Sequence, residues 1–172
     1  MTSEITFKKF NQLKTFDKRN KEYKDVIGML KMFWRELEAI EPFKLFQITE
    51  DFEKDYYEFI KMLLKINYGM LIVAYKDDIP VGFALGYVWN RPINLVSLQR
   101  ETIRAELYDL FVVPLYRSQG IGSKMVQIME DYYKKIGCSH FIVGLLESNC
   151  GAYKLYKRLG FKDNVLELMK EL

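Results

Sequence analysis

Arg117-Ser118-Gln119-Gly120-Ile121-Gly122 is the segment whose residue types and spacing point most directly to chemistry. An apolar stretch with strand character precedes it, and a stretch with helical periodicity follows. The first turn of a helix presents backbone N–H groups that have no intrahelical acceptor, at the positive end of the peptide dipole. That combination suits phosphate oxygens. Glycines at 120 and 122 let a pyrophosphate approach the backbone with no Cβ in the way. Arg117 and the hydroxyls of Ser118 and Ser123 offer further hydrogen bonds. Two other phosphate loops do not fit. In a Walker A loop Lys follows the last glycine directly, but here Ser123 precedes Lys124. A dinucleotide fingerprint needs glycine or alanine where Met125 stands. By itself the hexapeptide is equally compatible with a tight turn and close packing.

The surrounding elements decide what such a loop can face. Val26, Met29, Leu30, Phe33, Leu37 and Ile40 recur at helical spacing, and Pro42 lies just beyond. A second helix is expected after Thr49, with Phe52, Tyr56, Phe59, Leu63 and Ile66 on its apolar stripe. Residues 68–75 and 81–88 read as strands joined by the turn Lys76-Asp77-Asp78, a hairpin. Leu107 to Val113 reads as a further strand stopped by Pro114. Residues 118–136 form the helix behind the loop, with Gly137 closing it. A strand over 140–146, a helix over 151–159 closed by Gly160, and an apolar stretch from Val165 complete the order. The period of that last stretch suits strand or helix. An α+β or mixed α/β domain is the expectation.

With these elements in place, the segment from Leu110 to Lys124 resembles the acetyl-CoA signature of the GNAT N-acetyltransferase superfamily, a strand followed by Arg/Gln-x-x-Gly-x-Gly/Ala. Downstream, Asn149, Ala152, Leu155-Tyr156 and Gly160-Phe161 resemble that superfamily's second block. The resemblance is clearest over 68–161 and implies a GNAT fold across residues 1–172 as one domain. That fold is a mixed, largely antiparallel sheet of six or seven strands flanked by four helices. It also implies acetyl-CoA as co-substrate. The backbone of Leu110, Phe111 and Val112 would pair with the pantetheine arm, and Arg117, Ser118, Gln119, Gly120, Ile121, Gly122 and Ser123 would hold the pyrophosphate. Asn149 would bond the pantetheine or cap the following helix. Tyr156 matches the tyrosine credited with protonating the departing thiolate; the bland alternative is a core position. Glu106 stands where some members carry a catalytic glutamate, with Asp109 as its rival on the same strand. The implied reaction is transfer of an acetyl group to a primary amine of a small molecule or peptide, by direct attack in a ternary complex. A non-catalytic acyl-CoA sensor and a protein binding another phosphate ligand are the alternatives.

Composition narrows the remaining classes. The chain has 172 residues, 49% of them apolar and 28% charged, a globular balance that excludes disorder throughout. A net charge of +3 gives no case for nucleic acid, and the lysines and arginine between Lys8 and Lys24 read as a solvated face. One histidine, His140, and two cysteines, Cys138 and Cys150, fit neither a zinc pattern nor a disulfide framework. No apolar run is long enough to span a membrane, and no signal-peptide stretch opens the sequence; a cytoplasmic protein is expected, with a homodimer left open. Residues 36–58 are acid-rich, which suits a cationic acceptor or an ordinary solvated face. Trp34 and Phe43 are candidate walls of an acceptor pocket.

Overall fold

The computed structural model describes residues 4–11, 16–66, 68–89 and 102–171. In chain order the elements are β1 (Ile5–Phe10), α1 (Lys21–Ile40), α2 (Phe52–Ile66), β2 (Met70–Lys76), β3 (Ile79–Trp89), β4 (Arg104–Val112), α3 (Ile121–Lys135), β5 (His140–Val143) and α4 (Cys150–Arg158). The strands form one sheet in sequence order, antiparallel from β1 to β4, with β5 added parallel to β4.

β2 is the continuous apolar run of the sequence, and it is buried on both faces. Leu71, Val73 and Tyr75 point into a core shared with α1 and α2, while Met70, Ile72 and Ala74 face α3. The hairpin to β3 turns on Asp77 and Asp78, both with positive φ (49° and 61°), between the paired residues Lys76 and Ile79. Two left-handed residues in a two-residue loop match the twist of the flanking strands.

The decisive irregularity lies between β3 and β4. Leu85 pairs with Asp109 but Gly86 pairs with Leu107, so Tyr108 is an extra residue on β4. Ahead of this bulge Ala105 and Leu107 pack toward α3; beyond it Phe111 packs toward α1 and α2. Burial still alternates along β4 without a break. The odd-numbered residues are the buried ones throughout, but they change sheet face at Tyr108.

Four sequence expectations are corrected here. Among the described residues the sheet has five strands, not six or seven. The stretch from Val165 adds no strand or helix; Val165 and Leu168 are each 84% exposed, and the chain is tethered near its start by Lys157 donating to Asp163 at 3.1 Å. The strand expected over 140–146 stops at Val143, because its pairing with β4 ends at Leu107↔Val143. The helix expected from Ser118 begins at Ile121, preceded by a 3-10 turn over Pro114–Tyr116.

Gly86 stands opposite the bulge, and a Cβ there would lie 2.7 Å from the Glu106 carbonyl oxygen and 3.0 Å from the Tyr133 hydroxyl. Gly86→Ala should therefore cost about 1–3 kcal/mol, read as a lower urea midpoint at unchanged m-value. An unchanged midpoint would mean that the bulge tolerates a wider spacing than its geometry indicates.

Candidate active site

The site grows from the end of β4. Pairing with β5 stops at Leu107, so residues 108–112 continue with a partner only on the β3 side. The chain after β5 leaves through Gly144, Leu145 and Leu146 and returns as α4. Between these diverging segments lies a cleft of about 270 Å³, walled by Trp34 and Leu37 of α1, Phe46, Tyr108 to Leu110 of β4, residues 144–146, and Asn149, Ala152 and Tyr156 at α4.

The glycine loop sits near the far end of β4. Ser118 (φ 61°) and Gly120 (φ 80°) are both left-handed, and α3 starts directly after, with Lys124 N–H donating to the Gly120 carbonyl at 2.9 Å. Among the described residues, the backbone N–H groups of Ser118, Gly120, Ile121, Gly122 and Ser123 make no backbone hydrogen bond of good geometry. Left-handed residues alternating with ordinary ones make such a run of donors concave, a shape that holds anions. A Cβ on Gly122 would sit 3.6–3.8 Å from Leu155, Val112 and Leu110, so this glycine packs between the tip of β4 and α4. The donor set fits a pyrophosphate.

Arg117 has a different role from the other loop residues. Its guanidinium donates to both carboxylate oxygens of Glu36 on α1, at 2.8 and 2.6 Å, and to the Val112 carbonyl at 2.9 Å. It also stacks over Phe111, 5.6 Å from the ring centre. Arg117 thus braces α1 against the end of β4, and the phosphate-facing capacity of the loop rests on its backbone. Asn149 caps α4, its Oδ1 accepting from Ala152 N–H at 3.2 Å, while also lining the cleft.

Three groups in or beside the cleft titrate. Asp109 is buried and accepts a short hydrogen bond from the Tyr56 hydroxyl of α2. Burial pushes its carboxyl up to about 7, with the Tyr56 bond acting in the opposite direction. Tyr156 lines the same cleft from α4; burial raises its phenol, and the Asp109 charge raises it further. Tyr108 stands beside Asp109 and is raised by burial, then by Asp109 and Glu106. Glu106 does not line the cleft: its carboxylate accepts from Tyr87 on β3 at 2.7 Å. The structure therefore brings Asp109, Tyr156, Asn149 and Leu110 together, and leaves Glu106 outside the cleft on Tyr87, whose ring is 6.1 Å from that of Tyr108.

Of the proposed pocket walls, Trp34 lines the cleft and Phe43 does not. Much of the acid-rich stretch has structural duties: Glu53 accepts from Tyr23 and Lys31, Glu58 pairs with Lys61, and Glu41 caps the Phe43 and Leu45 N–H groups. Sequence reasoning missed Tyr56 and Glu36 as functional neighbours. Tyr56 falls on a regular apolar stripe, and only the packing of α2 on the bulged strand makes its hydroxyl a partner of Asp109.

The buried carboxyl links stability to pH. Its folded pKa lies above the unfolded value of about 3.9, so the folded state holds the proton more tightly. The contribution is fully present below pH 4 and is lost as pH rises from about 4 to about 7. The stability of wild type minus that of Asp109→Asn should fall over this window by a few kcal/mol and level off above it, as measured by urea unfolding. A difference independent of pH would mean that Asp109 is hydrated and ionises freely.

The chain matches the model of the acetyltransferase (GNAT) family over residues 26–161. It is 29% identical over 162 residues to an uncharacterized N-acetyltransferase of Methanocaldococcus jannaschii, covering 90% of this chain and 64% of that protein. Over 57 residues it is 42% identical to the mouse thialysine N-epsilon-acetyltransferase, 33% of this chain and 34% of the mouse protein. The chain thus spans under two thirds of the length of these relatives. An aminoglycoside N-acetyltransferase solved in complex with CoA superposes with a TM-score of 0.69 at 16% identity, over 99% of this chain and 95% of that one, a likeness of fold. The family match spans the parted strands, the donor loop and α4, and this chain belongs to the GNAT acetyltransferase family.

Proposed function

We propose that this protein transfers the acetyl group of acetyl-CoA to a primary amine, by direct attack while both substrates are bound. The observation that carries the reading is the placing of a buried carboxyl, Asp109, and a phenol, Tyr156, in one cleft that opens where β4 and β5 part. The backbone of residues 118–123 would hold the pyrophosphate, and the one-sided edge of β4 from Leu110 to Val112 would pair with the pantetheine arm as an added strand does. The co-substrate then supplies an activated thioester at the cleft.

This chain supplies orientation and proton handling. Asp109 takes the proton from the attacking nitrogen, a task suited to a carboxyl held at about 7 near neutral pH. Tyr156 keeps its proton at neutral pH and gives it to the sulfur as the thiolate leaves. Glu106 is the other carboxylate on the strand; its bond to Tyr87 supports a structural role, so Asp109 is the better base.

Three measurements check these assignments. Gly120→Asp should weaken acetyl-CoA binding roughly thirtyfold by calorimetry, because it sets a carboxylate against the pyrophosphate; equal affinity in a folded variant would remove the loop from the donor site. Tyr156→Phe should lower kcat about 10²-fold with cofactor affinity intact, and unchanged turnover in a chemistry-limited assay would return Tyr156 to the core. With an alkyl amine of pKa well above 8 as acceptor, the acidic limb of the wild-type rate profile should fall near pH 7 and disappear in Asp109→Asn, whereas Glu106→Gln should keep it. The opposite ranking moves the base to Glu106. Thiol release is the common readout; acetyl-CoA binding with no release for any amine would identify a sensor instead of an enzyme.

A further inference from the structure

Asp109 is the one charged residue among the described residues that line the cleft. Its carboxylate is buried and accepts from the Tyr56 hydroxyl, and among the described residues no lysine or arginine is hydrogen-bonded or ion-paired to it. A buried carboxylate is ordinarily paired with a cation. Tyr56 donates to Asp109, so the tyrosine supplies a proton and no charge. When Asp109 is ionised its remaining lone pairs suit a donor that carries positive charge, and among the described residues no side chain of the cleft supplies one.

The walls define the rest of that ligand. Trp34, Phe46 and Tyr108 line the acceptor side as aromatic rings, Trp34 and Phe46 packing edge to face at 5.1 Å. Aromatic faces accept methylenes and attract an ammonium group. Beside Asp109 the side-chain hydrogen-bonding groups of the cleft are few: Asn149, whose oxygen caps α4, and the Tyr108 and Tyr156 hydroxyls. A ligand rich in hydroxyls or amides would find fewer side-chain partners here than it has in water. The cleft of about 270 Å³ must also admit the thioester end of the co-substrate, which limits the bulk of the acceptor.

We propose that the acceptor of this site is an unbranched primary alkylamine, entering as the ammonium, with its charge on Asp109 and its methylenes between Trp34, Phe46 and Tyr108. The proposal rests on the transferase reading above. It makes Asp109 the selector of the acceptor before it acts as the base, and Tyr108 part of the specificity wall.

Binding is tested on the full chain with CoA bound, a combination that cannot turn over. Calorimetry compares pentylamine, its uncharged analogue 1-pentanol, an aminoglycoside and a short peptide with a free N-terminus. Pentylamine should bind at least about tenfold more tightly than each of the others. Asp109→Asn, which keeps an acceptor for Tyr56, should weaken pentylamine about 30-fold or more and leave 1-pentanol unchanged. Tyr108→Leu, at a partly exposed ring, keeps bulk but removes the aromatic face and should weaken the amine about threefold or more without affecting the alcohol. Equal binding of amine and alcohol, or an amine preference that survives both substitutions, overturns the proposal. Thiol release from acetyl-CoA separates its failure from that of the transferase reading. Release with the aminoglycoside or peptide but not with propylamine to hexylamine overturns the alkylamine assignment alone. No release with any of them overturns both.

Discussion

One extra residue in β4 governs the working half of this molecule. The bulge at Tyr108 advances the strand by one position against β3, and a one-residue advance transfers every following side chain to the other face of the sheet. Asp109 therefore meets α2 and Tyr56 instead of α3. Just before this point β4 loses its pairing with β5, which opens the gap between them. Gly86 makes the arrangement possible from the β3 side, since the Glu106 carbonyl crosses where a Cβ would stand. Cleft, buried carboxyl and one-sided strand edge all follow from the same local break in the ladder.

The two ends of that gap are tied together mechanically. Arg117 opens the glycine loop, yet its charge is spent on Glu36 of α1 and on the Val112 carbonyl at the tip of β4. α1 also carries Trp34 and Leu37 into the cleft wall. The helix that walls the cleft is thus braced against the glycine loop within two residues of Trp34 and Leu37. In the proposed reaction such bracing would hold the two substrates at a fixed mutual geometry, the part of catalysis that comes from orientation. It also lets the loop act through backbone donors, which need no side-chain ordering when a ligand arrives.

The cleft is organised against stability. A carboxyl buried with no cation beside it among the described residues disfavours the folded state once it ionises, and the aromatic cluster around it, from Phe52 and Tyr56 through Phe59 to Tyr108, offsets that cost by packing. Trp34 adds an indole N–H that lies beside the Tyr56 hydroxyl but finds no partner at hydrogen-bonding distance.

Local signals in the sequence were sufficient for the elements and for the donor loop. Helical periodicity marked α1, α2 and α3, the Asp77-Asp78 turn marked the hairpin, and Gly120 with Gly122 marked the loop that opens α3, because each depends on residues close together in the chain. Asn149 was legible as a cap for the same reason. The apolar stretch from Val165 misled, since its composition suits a strand but a strand needs a neighbour that sequence does not reveal. The ranking of Glu106 and Asp109 was beyond local reasoning as well. Both lie on one strand with an unbroken alternation of burial, and only the three-dimensional pairing shows that the alternation changes face between them. The sequence by itself determined the family, the helices and the hairpin, because each rests on signals close together in the chain. The tertiary structure alone decided which carboxyl is buried in the cleft, because that depends on strand register and on the helix packed across it.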